Sequence, residues 1–323
     1  MGGFELHKWK ANNLSLLNFP KLDCAAINAS NSYFDVLGIQ WSVEGDFLSL
    51  NFKLNDLIEK ITKRDVLSCI TKFFDPLGWF APIIITAKIF MQKLCLAKLN
   101  WDEPLPQELK NEFLNWYSDV PVLRNIKIAR WLNFIPGARY ELHGFADASK
   151  FAYVACTYLN VIHNGKSTIH LVQAKSKVAH IKPLQTIPCL ELSAGFLLSK
   201  LVVKVLRALN LNKVEVFLFT DSMDVLHWLK DHPSKWPMFV AHRCSKIHAY
   251  LPDAYWNHVR THDNPADCVS RGILPTQLES FSLWRGGGSM INKVNNSKDS
   301  FQSKSINLVS FNLNVGVVKE NKK

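Results

Sequence analysis

The sequence predicts an α/β fold over residues 126–285, a mixed five-stranded sheet (three antiparallel strands plus parallel strands) with flanking helices. Three observations predict it. Tyr140–Asp147, Phe151–Val161 and Thr168–Lys175 have strand patterning, and Asn164-Gly165 between the last two is a dipeptide that suits a tight hairpin turn. From Pro188 to about Leu209 a long apolar helix follows, with Leu190, Ala194, Leu197, Leu201, Val205 and Leu209 on one stripe. Lys213–Thr220 then reads as a buried strand.

The remaining elements fall in order around that core. Residues 1 to about 60 alternate short apolar runs with turns, and Val36–Trp41 with Phe47–Phe52 around Glu44-Gly45-Asp46 reads as a hairpin. Thr62–Leu99 is helical in pattern, but Asp75-Pro76-Leu77-Gly78 forbids a continuous helix and makes a corner between two. Asp102–Trp116 is a further helix, with Leu109, Phe113 and Trp116 on one face. After the long helix and the buried strand come helices at Ser222–Lys230 and Pro237–Tyr250, a strand at Tyr255–Arg260 and a final short helix. A boundary between Arg124 and Gly137 divides a smaller α+β domain, 1–125, from the sheet domain, 126–285; the tail 286–323, rich in Asn, Ser and Lys, is expected to be loose.

Bulk composition bounds the function. Of the 323 residues, 48% are hydrophobic and 20% charged, which excludes a disordered chain, and a net charge of +11 favours polyanionic partners. Seven cysteines without a CxxC pair suggest neither a disulfide framework nor a zinc ribbon. Met1–Trp9 lacks the apolar stretch of a signal peptide, and lysines and a proline interrupt the most apolar run, Trp79–Leu99. These features lead to the expectation of an intracellular protein, cytoplasmic or nuclear, neither secreted nor bound to membrane.

Four carboxylates stand out. Asp147 closes the first strand of the sheet domain and Asp221 follows the buried strand; if those strands are parallel neighbours, about 4.8 Å apart, both acids emerge at one sheet edge and require a cation. Glu191 lies in the first turn of the long helix, and Asp267 opens the last helix after Asn264-Pro265. Taken singly, each has a plainer role as a turn former or helix cap. Oxygen ligands without a His/Cys cluster suit Mg2+ or Mn2+ rather than zinc, and a pair of such ions supports in-line phosphodiester hydrolysis.

The segments holding these acids are Leu142-His143-Gly144-Phe145-Ala146-Asp147-Ala148-Ser149, Ile187-Pro188-Cys189-Leu190-Glu191-Leu192, Phe219-Thr220-Asp221-Ser222 and Asn264-Pro265-Ala266-Asp267-Cys268-Val269-Ser270-Arg271-Gly272. Together they resemble the pol polyprotein of Pao/BEL-type retrotransposons, from about Gly3 to Gly286. The resemblance implies a ribonuclease H-like domain in which Asp147, Glu191, Asp221 and Asp267 are the catalytic metal ligands. Upstream, Phe4–Trp9, Leu37–Trp41, Lys63–Ser68 and Phe73–Gly78 resemble the thumb and connection of a reverse transcriptase. No Tyr-x-Asp-Asp or Phe-x-Asp-Asp occurs, so polymerase activity is not expected, and the resemblance implies a fragment without the polymerase palm or a following integrase. Cys189 stands where the family usually has arginine, Trp79 where leucine is common and His180 where proline is common. The region has also been described as a retrotransposon peptidase. Neither Asp-Thr-Gly nor Asp-Ser-Gly is present, and Asp75, the remaining candidate, is better explained by the helical corner.

Other residues are candidates of lesser weight. His262, five residues before Asp267, is placed to pass a proton to a leaving group. Lys175, Lys177, His180 and Lys182 read as a basic loop, with Lys200, Lys204 and Arg207 along the long helix; these and Arg271 are candidate nucleic-acid contacts, against the plainer reading of solvated charge. Ser149 and Ser222 are candidates for a sugar 2′-hydroxyl contact or for turn capping, and Trp228 and Trp236 read as packing. The leading expectation is an endonuclease that cuts the RNA strand of an RNA/DNA hybrid. The alternatives are a remnant that binds nucleic acid without cutting it and a pseudogene product without a role; the partners implied are nucleic acid and the missing palm or other pol or gag products.

Overall fold

The computed structural model describes residues 11–12, 33–36, 38–54, 60–181, 184–211, 214–252, 254–288, 291 and 304–306. The chain divides into two compact units: one takes the described residues up to Pro76 with Thr86–Phe134 and Ile273–Ser280, and the other takes Leu77–Ile85, Ile135–Gly272 and the described residues from Phe281 onward. The resemblance at Phe4–Trp9 lies outside the described residues.

In the first unit, β1 (Tyr33–Val36), β2 (Ile39–Ser42) and β3 (Phe47–Leu50) form an antiparallel meander, and β4 (Ile128–Ala129) pairs with β3. The expected hairpin is β2–β3; Asp46, at φ 47°, turns the chain. Helix α1 (Lys63–Thr71) starts at a capping box, in which Thr62 and Asp65 each bind the other's backbone N–H. Helix α2 (Ala81–Leu96) follows the predicted corner. Helix α3 (Gln107–Asp119) begins after Pro106, five residues later than the pattern suggests, because Pro104 and Pro106 cannot donate into a helical ladder. Ile61, Val66, Phe90, Leu94 and Phe113 form the core of this unit.

The second unit begins with the corner itself. Ala174 N donates to Leu77 O at 2.8 Å, and the Trp79 indole donates to Leu171 O at 3.1 Å. Gly78 has φ +75°, and a Cβ built there would lie 2.1 Å from the Ala174 carbonyl oxygen. Only glycine fits. The glycine of the turn is therefore explained by backbone docking.

The sheet of this unit is built from β5 (Arg139–Ala148), β6 (Ala152–His163) and β7 (Lys166–Val178), an antiparallel meander whose β6–β7 turn holds Asn164 and Gly165 both at positive φ. Helix α4 (Ile187–Leu209) carries the chain over the sheet to β8 (Val214–Thr220), which pairs with β5 in parallel. Helices α5 (Met223–Lys230) and α6 (Met238–Tyr250) precede β9 (Trp256–His258), which runs parallel to β8. Short helices α7 (Asp267–Arg271) and α8 (Ser282–Gly286) follow. The order β7-β6-β5-β8-β9 is the predicted mixed five-stranded sheet.

Two corrections concern its ends. β7 continues to Val178, so Lys175 and Lys177 lie on an edge strand and not in a loop, the antiparallel partner β6 extending the ladder to Ala152. The tail is not uniformly loose among its described residues: Ile291 is buried, and β10 (Lys304–Ile306) pairs antiparallel with β8.

Residue parity sorts the two faces of the sheet. Leu142 and Ala146 of β5 and Val216 and Leu218 of β8 pack with Leu198, Leu201 and Val202 of α4. On the opposite face Phe145 stacks on Phe219 at 4.9 Å, and Tyr158 donates its hydroxyl to Trp284 O at 2.7 Å. Among the described residues, no helix is long and apolar enough to cross a membrane.

Candidate active site

The parallel register of β5 and β8 ends at Ala146 opposite Thr220. Asp147 and Asp221 each follow that last pair, so their carboxyls leave adjacent strands at one edge. Asp147 is 4% exposed, and burial, together with the charges of Asp221 and Asp267, pushes its carboxyl up to about 8, against a pull downward from a Ser270 hydrogen bond. Burial also raises the Glu191 carboxyl, with Asp221 and Asp224 adding to the rise and a hydrogen bond from Ser222 opposing it. The four predicted acids are thus linked electrostatically: Asp147 to Asp221 and Asp267, and Glu191 to Asp221.

Each acid has its own support. Thr261 Oγ1 donates to Asp221 Oδ2 at 2.8 Å, and Arg271 Nε donates to Asp267 Oδ1 at 2.7 Å, one helical turn away. Asn264, fully buried, donates through Nδ2 to Ala146 O at 3.1 Å and accepts from Ala266 N through Oδ1 at 3.1 Å. Ser149 Oγ donates to Ser270 O at 2.6 Å and accepts from Phe151 N and Ala152 N. Asn264 and Ser149 therefore bind the loop and helix bearing Asp267 to the end of β5. Sequence reasoning placed Asn264-Pro265 only as the lead into the last helix and gave Thr261 and Ser270 no role; the short spacing of these residues from Asp267 was the available signal.

Among the described residues, no three His, Cys, Asp or Glu side chains form a ready-made metal cage. The donor set still suits a hard cation. Asp147 Oδ2 and Asp221 Oδ1 are buried and accept no hydrogen bond among the described residues, a costly state for two acceptors unless a positive charge meets them.

The other candidates are placed as follows. His262 sits in a single turn, Thr261–Asp263, with its side chain 72% exposed and Nε2 3.5 Å from Asp263 Oδ2. Ser222 caps α5, accepting from Val225 N at 3.3 Å, in addition to its bond with Glu191. Lys175 and Lys177 are exposed, Arg271 is committed to Asp267, and Lys182 lies outside the described residues. Trp236 donates to Trp228 O at 3.1 Å, and both pack against Val225, Val240 and Cys244, as expected. At the first turn of α4, beside Cys189, Arg243 of α6 supplies a guanidinium: its Nε donates to Ser193 Oγ at 3.2 Å, and Ser193 donates to Cys189 O at 2.7 Å.

Residues 62–222 match the family model described as Pao retrotransposon-like RNaseH-like domain. Among solved structures, RNase H1 from the halophilic archaeon Halobacterium salinarum NRC-1 aligns at 13% identity over 40% of this chain and 90% of that one, with a TM-score of 0.26. A foamy viral protease-reverse transcriptase in complex with dsDNA aligns at 11% identity over 71% of this chain, with a TM-score of 0.24; the alignment spans 45% of that longer protein. No curated protein matches the chain.

Proposed function

We propose, from the match of residues 62–222 to the Pao retrotransposon-like RNaseH-like domain family model, that the chain is a metal-dependent endonuclease that cuts the RNA strand of RNA/DNA hybrids. The sheet β7-β6-β5-β8-β9 with its flanking helices is RNase H-like. The single observation that carries the proposal is that Asp147 and Asp221 each come one residue beyond the last paired position of β5 and β8, each with a buried oxygen that lacks a donor. Asp147 and Asp221 would hold Mg2+ or Mn2+ centrally, with Glu191 and Asp267 as flanking ligands. A divalent ion bound there supplies Lewis acidity to the scissile phosphate.

The chain's own residues do the rest. Thr261 fixes Asp221 through Oδ2 and so leaves Oδ1 directed to the site. Ser222 holds Glu191, and Arg271 neutralises Asp267 until a cation competes for it. His262, exposed beside this loop, is the group positioned to protonate the departing oxygen. Exposed Lys175 and Lys177 on the edge strand would contact phosphates. The first unit is read as a thumb- and connection-like region that would work beside a polymerase palm, in an intracellular retroelement particle.

The test uses a hybrid labelled on its RNA strand, incubated with the full chain and magnesium beside an Asp221→Asn variant. Product from the wild type alone supports the assignment; equal cleavage by both sinks it. A second reading, nucleic-acid binding without cleavage, is favoured by the lack of a ready-made cage among the described residues. Hybrid binding with a steep salt dependence and no magnesium-dependent product would select that reading.

A further inference from the structure

A second charged feature lies well away from the carboxylates. Lys200, Lys204 and Arg207 are exposed on α4 at i, i+4 and i+7, and none takes part in an ion pair among the described residues. With Val203, Ala208 and Tyr250 they line an open groove of about 560 Å3. Helices α4 and α6 together carry five lysines and arginines and one acid, Glu191, at the far end of α4, so these two helices bring net positive charge to the groove.

The groove is built as well as charged. Lys200 Nζ stands 4.3 Å from the Phe196 ring centroid and 5.9 Å from that of Tyr250, and the two rings are 6.0 Å apart. These rings hold the ammonium in place before any ligand arrives. Tyr250 is half-buried, leaving part of its ring at the groove, while Val203 and Ala208 give it an apolar floor. Cations along a groove beside an aromatic face are what a single nucleic-acid strand requires: phosphates to neutralise and an exposed base to stack. A duplex conceals its base faces and makes no use of the ring. At 1.5 Å per residue, Lys200 and Arg207 lie roughly 14 and 24 Å along α4 from Glu191, too far for one phosphate to touch both places.

We propose that the α4–α6 groove formed by Lys200, Lys204, Arg207 and Tyr250 binds single-stranded nucleic acid independently of the carboxylate edge. The test measures anisotropy of a labelled oligothymidylate of about 20 nucleotides with the full chain in EDTA, between about 50 and 200 mM salt. Without metal the carboxylate edge repels the strand, so failure here leaves hybrid cleavage untouched, and failure of cleavage leaves this binding untouched. Replacing Lys200, Lys204 and Arg207 by glutamine is expected to reduce the salt slope by about 2, abolishing a roughly 20-fold part of the affinity loss over that range. Tyr250→Leu is expected to weaken binding several-fold with the slope unchanged. Should the triple variant fail to fold by circular dichroism, Lys204→Gln alone is expected to lower the slope by about 0.7. An unchanged slope overturns the proposal. So does equally tight binding of a blunt duplex through the same residues, or a preference of the groove for phosphatidylserine vesicles over the oligonucleotide.

Discussion

Asp147 and Asp221 occupy equivalent positions on neighbouring parallel strands, each one residue beyond the paired Ala146 and Thr220. Burial, with the neighbouring charges of Asp221 and Asp267, pushes the Asp147 carboxyl up to about 8, which favours its protonated form near neutral pH. A metal ion would displace that proton.

Metal binding is therefore expected to strengthen as pH rises from about 6 to 8, with proton release. Titration calorimetry with magnesium in buffers of different ionisation enthalpy checks this. Affinity that is flat across the range, with no proton released, contradicts it.

The same group sets a pH dependence of stability in the metal-free protein. Its folded-state pKa lies above its unfolded value, so its contribution is fully favourable below about pH 4 and is lost as pH rises through about 8. Asp147→Asn removes the titration and is expected to make the metal-free chain more stable than wild type at pH 8, by as much as several kcal/mol. Urea unfolding at pH 5 and pH 8 measures the difference, which should be larger at the higher pH.

Arg271 neutralises Asp267 through a contact whose guanidinium side is 66% exposed. Exposed pairs are weak, worth up to about 1 kcal/mol. Arg271→Gln should shift the magnesium concentration for half-maximal cleavage downward by no more than about fivefold. An upward shift would show that the arginine organises the ligand instead of competing with the metal.

Gly144 faces α4, and a Cβ there would lie 2.9 Å from Leu198 Cδ1 and 3.2 Å from Leu218 Cδ2. Gly144→Ala is expected to cost about 1–3 kcal/mol by overpacking this seam. Denaturant midpoints report it, and Leu198→Val in the same chain should recover part of the loss.

The meander β5–β7, helix α4 and strand β8 were legible because alternation, the Asn164-Gly165 turn and the apolar stripe of α4 are local signals. The positions of the four acids at strand and helix ends followed from the same signals. What was not legible depends on pairing across distance. β7 runs past Lys175 because β6 continues opposite it, and β10 exists only by pairing with β8. Glu141 and His143, both fully buried, lie 3.2 Å apart on one face of β5, where Asn160 and Arg139 also bind Glu141. Nothing in their local sequence distinguishes them from surface charge. The bonds that give Thr261, Ser270 and Asn264 their roles were not legible either, since their partners lie 40 to 121 residues away.

The bond from Asn264 to the carbonyl of Ala146 bridges 118 residues. Contacts of such separation are closed late, after the local pieces have formed. During synthesis the meander and its crossover helix emerge first and can collapse together, yet they present an incomplete set of acids until the loop bearing Asp267 arrives. The four acids are thus gathered only when one late closure draws the two ends of the sheet domain together.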